Sequence, residues 1–173
     1  MPRKVCIAVD PSQTSQNALQ WAARTVVNPG DEVRLFTVLH PSPDSELRSG
    51  VGTTAGGART APIGVKPEAD EVDIRKAQDL LQDCKQKVVA QGVAPEAVAT
   101  DTLVAVANSA ADTGREITTH ADACGCESLV MGSRGLGLSK KALMTMLGVG
   151  SVSDYVLKHA PCNVVLYKDK PTA

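Results

Sequence analysis

The stretch Glu127-Ser-Leu-Val-Met-Gly-Ser-Arg-Gly135 decides how this chain folds. Ser128 to Met131 reads as a short buried strand, and Gly132 to Gly135 forms a glycine turn at its carboxyl end. After a helical excursion over Ser139 to Met146, a second glycine turn, Gly148-Val-Gly-Ser-Val-Ser-Asp154, opens another helix. Glycine stands at such turns when backbone must approach an anion. No Cβ blocks the approach, and the free N–H groups of a helix start carry partial positive charge. The expectation is a phosphate-bearing ligand at the end of a buried strand.

Outward from this stretch, strands and helices alternate. Val5 to Val9 is a continuous apolar run, as in a strand covered on both faces. Pro11 and Ser12 open a helix with Ala18, Leu19, Ala22, Ala23, Val26 and Val27 at helical spacing, stopped by Asn28-Pro-Gly-Asp31. Val33 to Leu39 is a second strand, Glu68 to Gln91 an amphipathic helix, and Val98 to Val106 a third strand. A helix starts at Thr113 or Gly114 and is capped by Gly125. Val152 to His159 is a further helix, Asn163 to Tyr167 a fifth strand, and the residues beyond it are expected to fray. The inner face of the Glu68–Gln91 helix is read as Val72, Ala77, Leu80, Leu81, Cys84, Val88 and Val89. This alternation predicts a parallel sheet in an open three-layer α/β/α domain, one domain over residues 1–170. Ligands of such sheets sit at the carboxyl ends of the strands.

One segment breaks the pattern. Residues 41–66 are rich in Gly, Pro, Ser and Thr without hydrophobic periodicity, and read as a long flexible loop. With Arg48, Arg59 and Lys66 it is either a lid over a ligand or a disordered regulatory segment open to phosphorylation.

Composition narrows the function classes. Aromatic residues make up 2% of the 173 residues and the net charge is −1. Base-stacking platforms and a basic field are therefore both lacking, and nucleic acid is not expected as a partner. The Val5–Val9 run is too short for a signal-peptide core, and no stretch reaches the ~20 apolar residues of a spanning helix, so no membrane partner is expected. The five cysteines are odd in number and scattered, and Cys6 lies in a buried strand. Such usage suits reduced thiols and a cytoplasmic location.

Several motifs can be weighed individually. Gly132 to Gly135 either cups a ribose or phosphate or is simply a tight turn. Ser151 caps its helix, with Asp154 three residues on, and a second glycine-plus-hydroxyl turn fits two-point gripping of a phosphate chain. Asp10, just past the first strand, can accept from a ribose hydroxyl or an adenine amine, or it can form an Asx turn before Pro11. Gly132 to Ser139 has P-loop glycine spacing, but Leu138 stands where the lysine belongs. The G-x-G-x-x-G fingerprint is missing after the first strand. His120, Cys124 and Cys126 lack a fourth ligand and paired C-x-x-C spacing, so packing outweighs a metal site. No G-x-S-x-G elbow or Ser-His-Asp ordering points to covalent catalysis.

Taken together, Val5-Cys-Ile-Ala-Val-Asp-Pro-Ser12, Leu35-Phe-Thr-Val38, Ser128 to Gly135, Gly150-Ser-Val-Ser-Asp-Tyr-Val156 and Ala160-Pro-Cys-Asn-Val-Val165 resemble the universal stress protein family. The likeness is to its ATP-binding type and to plant or algal members, and spares only about residues 41–66. It implies a Rossmann-like, adenine nucleotide alpha hydrolase-like sheet of order 3-2-1-4-5, and a homodimer through the last strand, about Asn163–Lys168. It also implies ATP or AMP as ligand, with any Mg carried on the phosphates.

By the family pattern, Asp10 and Val38 face the adenine, Gly132 and Gly135 the ribose and phosphates, and Gly150 with Ser151 the phosphates. Ala8, Met131, Ser133, Arg134, Val152 and Ser153 complete the implied nucleotide contacts. Arg134, backed by Lys140 or Lys141, neutralises phosphate charge. Fourteen residues, Leu136 to Val149, separate Gly135 from Gly150 where the pattern has nine; the extra residues are expected to bulge outward and leave the site intact. The implied function is a nucleotide-dependent dimeric switch in stress response or signalling, without catalytic residues. The alternatives are a weak ATP hydrolase and a nucleotide-free dimeric scaffold.

Overall fold

Apolar side chains at every position from Val5 to Val9 leave a strand no solvent-facing side, so it must lie between two helical layers. The computed structural model, which describes residues 2–40, 69–106, 109–133 and 152–169, places it there. β1 (Lys4–Ala8) is followed by α1 (Gln13–Thr25), β2 (Glu32–Leu39) and α2 (Glu71–Val89). A 3-10 turn (Pro95–Ala97), β3 (Val98–Val104), α3 (Ala110–Ala123), β4 (Ser128–Gly132), α4 (Val152–His159) and β5 (Asn163–Tyr167) complete the order. The five strands form a parallel sheet in the order β3-β2-β1-β4-β5, the 3-2-1-4-5 arrangement expected. Ile7 of β1 pairs with Leu35 on one side and Val130 on the other.

The period of two along each strand splits the core. Val5, Ile7 and Val9 pack with Leu19 and Ala22 of α1 and Leu81, Cys84 and Val88 of α2. Cys6 and Ala8 face the opposite way, against Phe36, Ile117 and Ala121 of α3 and Val156 of α4. Three layers result. Phe36 is fully buried on the second face, and removing its ring from water contributes about 2 kcal/mol.

Element boundaries differ from the sequence reading for definable reasons. The buried stripe of α2 is Ala77, Leu81, Cys84 and Val88. Val72 lies five residues before Ala77, about 140° around the helix at ~100° per residue, and is 62% exposed rather than inward. β3 stops at Val104, and Val106 turns out to solvent. α3 begins at Ala110 rather than at Thr113 or Gly114, because Ser109 is its N-cap and accepts from the Asp112 N–H at 3.0 Å. Gly114 instead sits inside the helix, where α4 crosses close to it. The expected stop at Gly125 is present. This glycine has φ +64°, and the following Cys126 N–H reaches back to the Ala121 carbonyl at 2.9 Å.

Beyond β5 the chain stays attached as far as Asp169. Thr14 Oγ1 and Asn17 Nδ2 of α1 donate to the Asp169 carboxylate at 2.5 and 2.8 Å. Beside this clasp the rings of Trp21 and Tyr167 lie 5.8 Å apart, tilted by 41°. No helix among the described residues is long and apolar enough to cross a membrane. The 41–66 loop and the Ser139–Met146 helix of the sequence reading lie outside the described residues.

Candidate functional site at the carboxyl edge of the sheet

Parallel strands all end on the same side, and the sheet changes direction between β1 and β4. That crossover leaves a crevice at the carboxyl ends. Asp10 stands beside it and is held rigidly. Its backbone N–H donates to Ser15 Oγ at 2.9 Å, Gln16 Nε2 donates to its carbonyl at 3.3 Å, and the Ser12 N–H donates to its Oδ1 at 2.7 Å. Ser12 also caps α1, its Oγ accepting from the Ser15 N–H at 3.2 Å. The Asx turn anticipated as the plain explanation of Asp10 is therefore real, yet it occupies a single carboxylate oxygen. The other, Oδ2, is buried and accepts no hydrogen bond among the described residues. Asp10 is 6% exposed. Burial pushes its carboxyl above the usual carboxylate range, with the Ser12 hydroxyl and N–H opposing.

Leaving a buried acceptor unmet costs about 1–3 kcal/mol. A rigid acceptor of this kind, at a crevice and beside a helix start, can take a hydroxyl or an amine from a ligand. Ser15 and Gln16, which brace it, were not singled out from the sequence. The Asp-Pro-Ser-x-x-Ser spacing of residues 10–15 is the signal that could have found Ser15.

Ala8 and Met131 are each 1% exposed and share one apolar cluster with Val38 and Val152. Their side chains are committed to the core, so they offer a ligand shape and backbone. Val38, 9% exposed, lies near the end of β2. Gly132 ends β4, and the Ser133 N–H already donates to the Tyr167 carbonyl at 2.8 Å. That amide is engaged by the protein. Ser153 follows Val152 in the first turn of α4. The structure thus gathers Ala8, Asp10, Val38, Met131, Gly132 and Ser133 at the ends of three adjacent strands, with Val152 joining them from α4. Arg134, Gly135, Gly150 and Ser151 lie outside the described residues.

The His120, Cys124 and Cys126 group does not converge. His120 Nε2 is 3.3 Å from Asp101 Oδ2 and 3.5 Å from Cys124 Sγ, and its ring meets Phe36 edge-on at 4.9 Å. Cys126 turns away, its thiol donating to the Ser128 carbonyl at 3.1 Å. Burial lowers the His120 pKa, which Asp101 only partly opposes. Among the described residues no group of three or more His, Cys, Asp or Glu side chains could hold a metal ion.

An open α/β/α sandwich with a 3-2-1-4-5 parallel sheet and a braced acidic residue at its crossover defines the class of this protein. The chain belongs to the universal stress protein family, whose profile matches residues 1–168. It is 28% identical over 169 residues to Universal stress protein PHOS32 of Arabidopsis thaliana, covering 96% of this chain and 64% of that relative's length. Among solved structures it is similar to hypothetical protein MJ0577, with TM-score 0.64, 20% identity and 99% of both chains covered. A universal stress protein solved in complex with cAMP matches with TM-score 0.56, 16% identity and 96% of both chains covered.

Proposed function

We propose that this chain binds an adenine nucleotide, ATP or AMP with any Mg carried on the phosphates, and works as a nucleotide-dependent dimeric switch without turnover. The observation that carries the reading is the Asp10 carboxylate, a buried acceptor with one oxygen unmet among the described residues. A ribose hydroxyl or the adenine amine is the donor it fits, with Val38 packing the base. Membership of the family supports the reading, and the cAMP complex of a relative supports adenine in particular. In this reading Gly132, Gly135, Gly150 and Ser151 receive ribose and phosphates, Arg134 balances charge, and Ser153 borders the phosphate end.

The dimer falls to β5, an edge strand whose Val164, Val165, Leu166 and Tyr167 are all half-buried, whereas Val5 to Ala8 of β1 are fully covered. An edge with unpaired backbone invites a second copy.

The test is a ligand panel of ATP, AMP, cAMP and GTP on wild type and Asp10→Ala, read by calorimetry and by melting temperature. Saturating adenine nucleotide at about 100 times its Kd stabilises wild type by about 2.7 kcal/mol, and Asp10→Ala loses most of that shift. Equal binding by both proteins, or a preference for GTP, overturns the reading. Phosphate release above the background of Asp10→Ala would favour a hydrolase, and no shift with any ligand a nucleotide-free scaffold. Sedimentation with and without ATP reads the dimer.

A further inference from the structure

Asp10 is anchored to more than its own helix. Three groups fix its position: the Ser12 N–H, Ser15 Oγ and the side-chain amide of Gln16. Of these three, Gln16 also reaches a second element, α2. Its Oε1 accepts from Lys87 Nζ at 2.9 Å, and its Nε2 donates to Cys84 Sγ at 3.8 Å. Cys84 and Lys87 are three residues apart and so share one face of α2. Cys84 is itself fully buried in the core cluster that α1, α2 and β1 have in common. The Gln16 head group therefore sits where the two helices meet.

Chemistry leaves that amide a single orientation. An ammonium can only donate, so the Gln16 oxygen must face Lys87. The Asp10 carbonyl can only accept, so the nitrogen must face Asp10. Both amide hydrogens are then used, one on the Asp10 carbonyl at 3.3 Å and one on the Cys84 sulfur. The reversed amide would set N–H groups against the ammonium and oxygen against the Asp10 carbonyl. Lys87 thus locks the one orientation in which Gln16 can hold Asp10. Asp83, one turn before Lys87, pairs with the same ammonium.

The restraint falls on a peptide group with few handles. Pro11 follows Asp10 and has no N–H, so the peptide between them offers its carbonyl alone. Tilting that carbonyl turns the Asx turn, and with it the buried Oδ2 that meets no donor among the described residues. Groups that contact a ligand must be held to within about 0.5 Å to work.

We propose that Lys87 is a positioning residue of the adenine-nucleotide site, acting through Gln16 to set the direction of the Asp10 carboxylate. The inference rests on the reading of Asp10 as the acceptor for ribose or adenine. Lys87 stands on the far side of Gln16 from Asp10, and contacts no ligand in this scheme. A groove of about 220 Å³, lined by Gln20, Arg24, Lys87, Ala90 and Gln91, opens beside it. Removing the ammonium therefore leaves no closed cavity. Asp83, whose side chain is 57% exposed, is solvated when its partner goes. The position is open to substitution without loss of the fold.

The experiment compares wild type with Lys87→Met, Gln16→Met, the double variant and Lys87→Arg. Calorimetry reads ATP and adenosine affinity, and amide exchange at Asp10 and Ser12 is followed without ligand. Each Met variant is expected to weaken ATP about 5–10-fold, and the double variant no more than either alone. Adenosine should lose by the same factor as ATP, because the contact affected is to the nucleoside rather than to phosphate. Lys87→Arg returns a donor to Gln16 and should restore affinity to within about twofold of wild type. The Asp10 and Ser12 N–H groups should exchange faster in both Met variants. Lys76→Met removes a charge from the exposed side of the same helix and should change neither readout. Far-UV dichroism confirms the fold of every variant. Unchanged exchange in Lys87→Met, additive losses in the double variant, or a loss for ATP without one for adenosine would each overturn the proposal. Quickened exchange in a protein whose wild type binds neither adenosine nor ATP would instead overturn the nucleotide reading alone, with the Lys87–Gln16–Asp10 linkage upheld.

Discussion

Gly114 of α3 lies so close to Tyr155 of α4 that a Cβ built on the glycine would stand 2.7 Å from the ring Cδ1 and 2.8 Å from the tyrosine's own Cβ. The glycine sets how near the two helices approach. α4 begins with Val152, so the same contact fixes where that residue meets the crevice.

Gly114→Ala is therefore expected to lower stability by about 1–2 kcal/mol in urea unfolding, through overpacking. The loss outweighs the gain of about 1 kcal/mol that alanine brings to a helix interior. Adding Tyr155→Ala relieves part of the loss and no more, since the Cβ at position 155 remains. A Gly114→Ala protein as stable as wild type would show that the helices can part freely.

Asp10→Asn separates binding from stability. Burial raises the Asp10 carboxyl above its unfolded value, so its favourable contribution is fully present below the unfolded pKa and is lost as pH rises through the folded pKa. At neutral pH the charged form is a liability. The amide keeps an acceptor for the Ser12 N–H, and Asp10→Asn should melt about 2–4 °C higher at pH 7, as expected for ~1 kcal/mol in a chain of this size. Its melting-temperature rise with ATP should shrink. A lower melting temperature without ligand would contradict the penalty that burial places on the charged Asp10 carboxylate.

Asp31 has the opposite sign. Burial would raise its carboxyl, but Arg3 and the Asn28 N–H hold it below the usual carboxylate range. Arg3 meets it twice, at 2.6 and 3.2 Å, and also reaches the Val26 carbonyl at 2.5 Å. The stabilisation is present above the unfolded carboxylate pKa and lost as pH falls through the lowered folded value. Asp31→Asn should cost about 2 kcal/mol at pH 7, with the difference from wild type closing in strong acid. Nucleotide binding should be unchanged, because this pair sits at the far edge of the sheet from Asp10. Acid titration of both proteins by dichroism reads the crossover.

The clasp on Asp169 is local. Asp169→Ala should lower the melting temperature by about 2–4 °C, because two partly exposed hydrogen bonds at the low end of ~0.5–1.5 kcal/mol each contribute about 1 kcal/mol together. Amide exchange of Leu166 and Tyr167 should quicken as well. Unchanged exchange there would mean that β5 is held by its ladder alone.

Strand identity was legible wherever burial on both faces forced continuous apolar runs. Val5–Val9, Val33–Leu39 and Ser128–Met131 each appear within a residue of the reading, and the sheet order followed from the family likeness. Boundaries governed by single hydrogen bonds were harder. Ser109 caps α3 with Asp112 three residues on, the same pattern read at Ser151, yet the glycine at 114 looked like the stronger signal until its role as a packing surface was seen. Val72 was misplaced because an apolar residue in a first turn says little about which face is buried. At the site, the sequence pointed to Asp10 but could not distinguish a turn-former from a binding group. One carboxylate oxygen forms the turn, and the other accepts no hydrogen bond among the described residues. That Cys6, Cys126 and Cys162 lie in or against one core cluster was invisible, because residues far apart in the chain are brought together only through the sheet order.

The chain holds one tryptophan, and its ring rests against Tyr167. Its emission is thus a gauge of the join between the first helix and the edge strand, with no second fluorophore of its kind to blur the signal. Anything seated along that edge should alter its colour or lifetime. Events confined to the far margin of the sheet, beside β3, should leave the light unchanged.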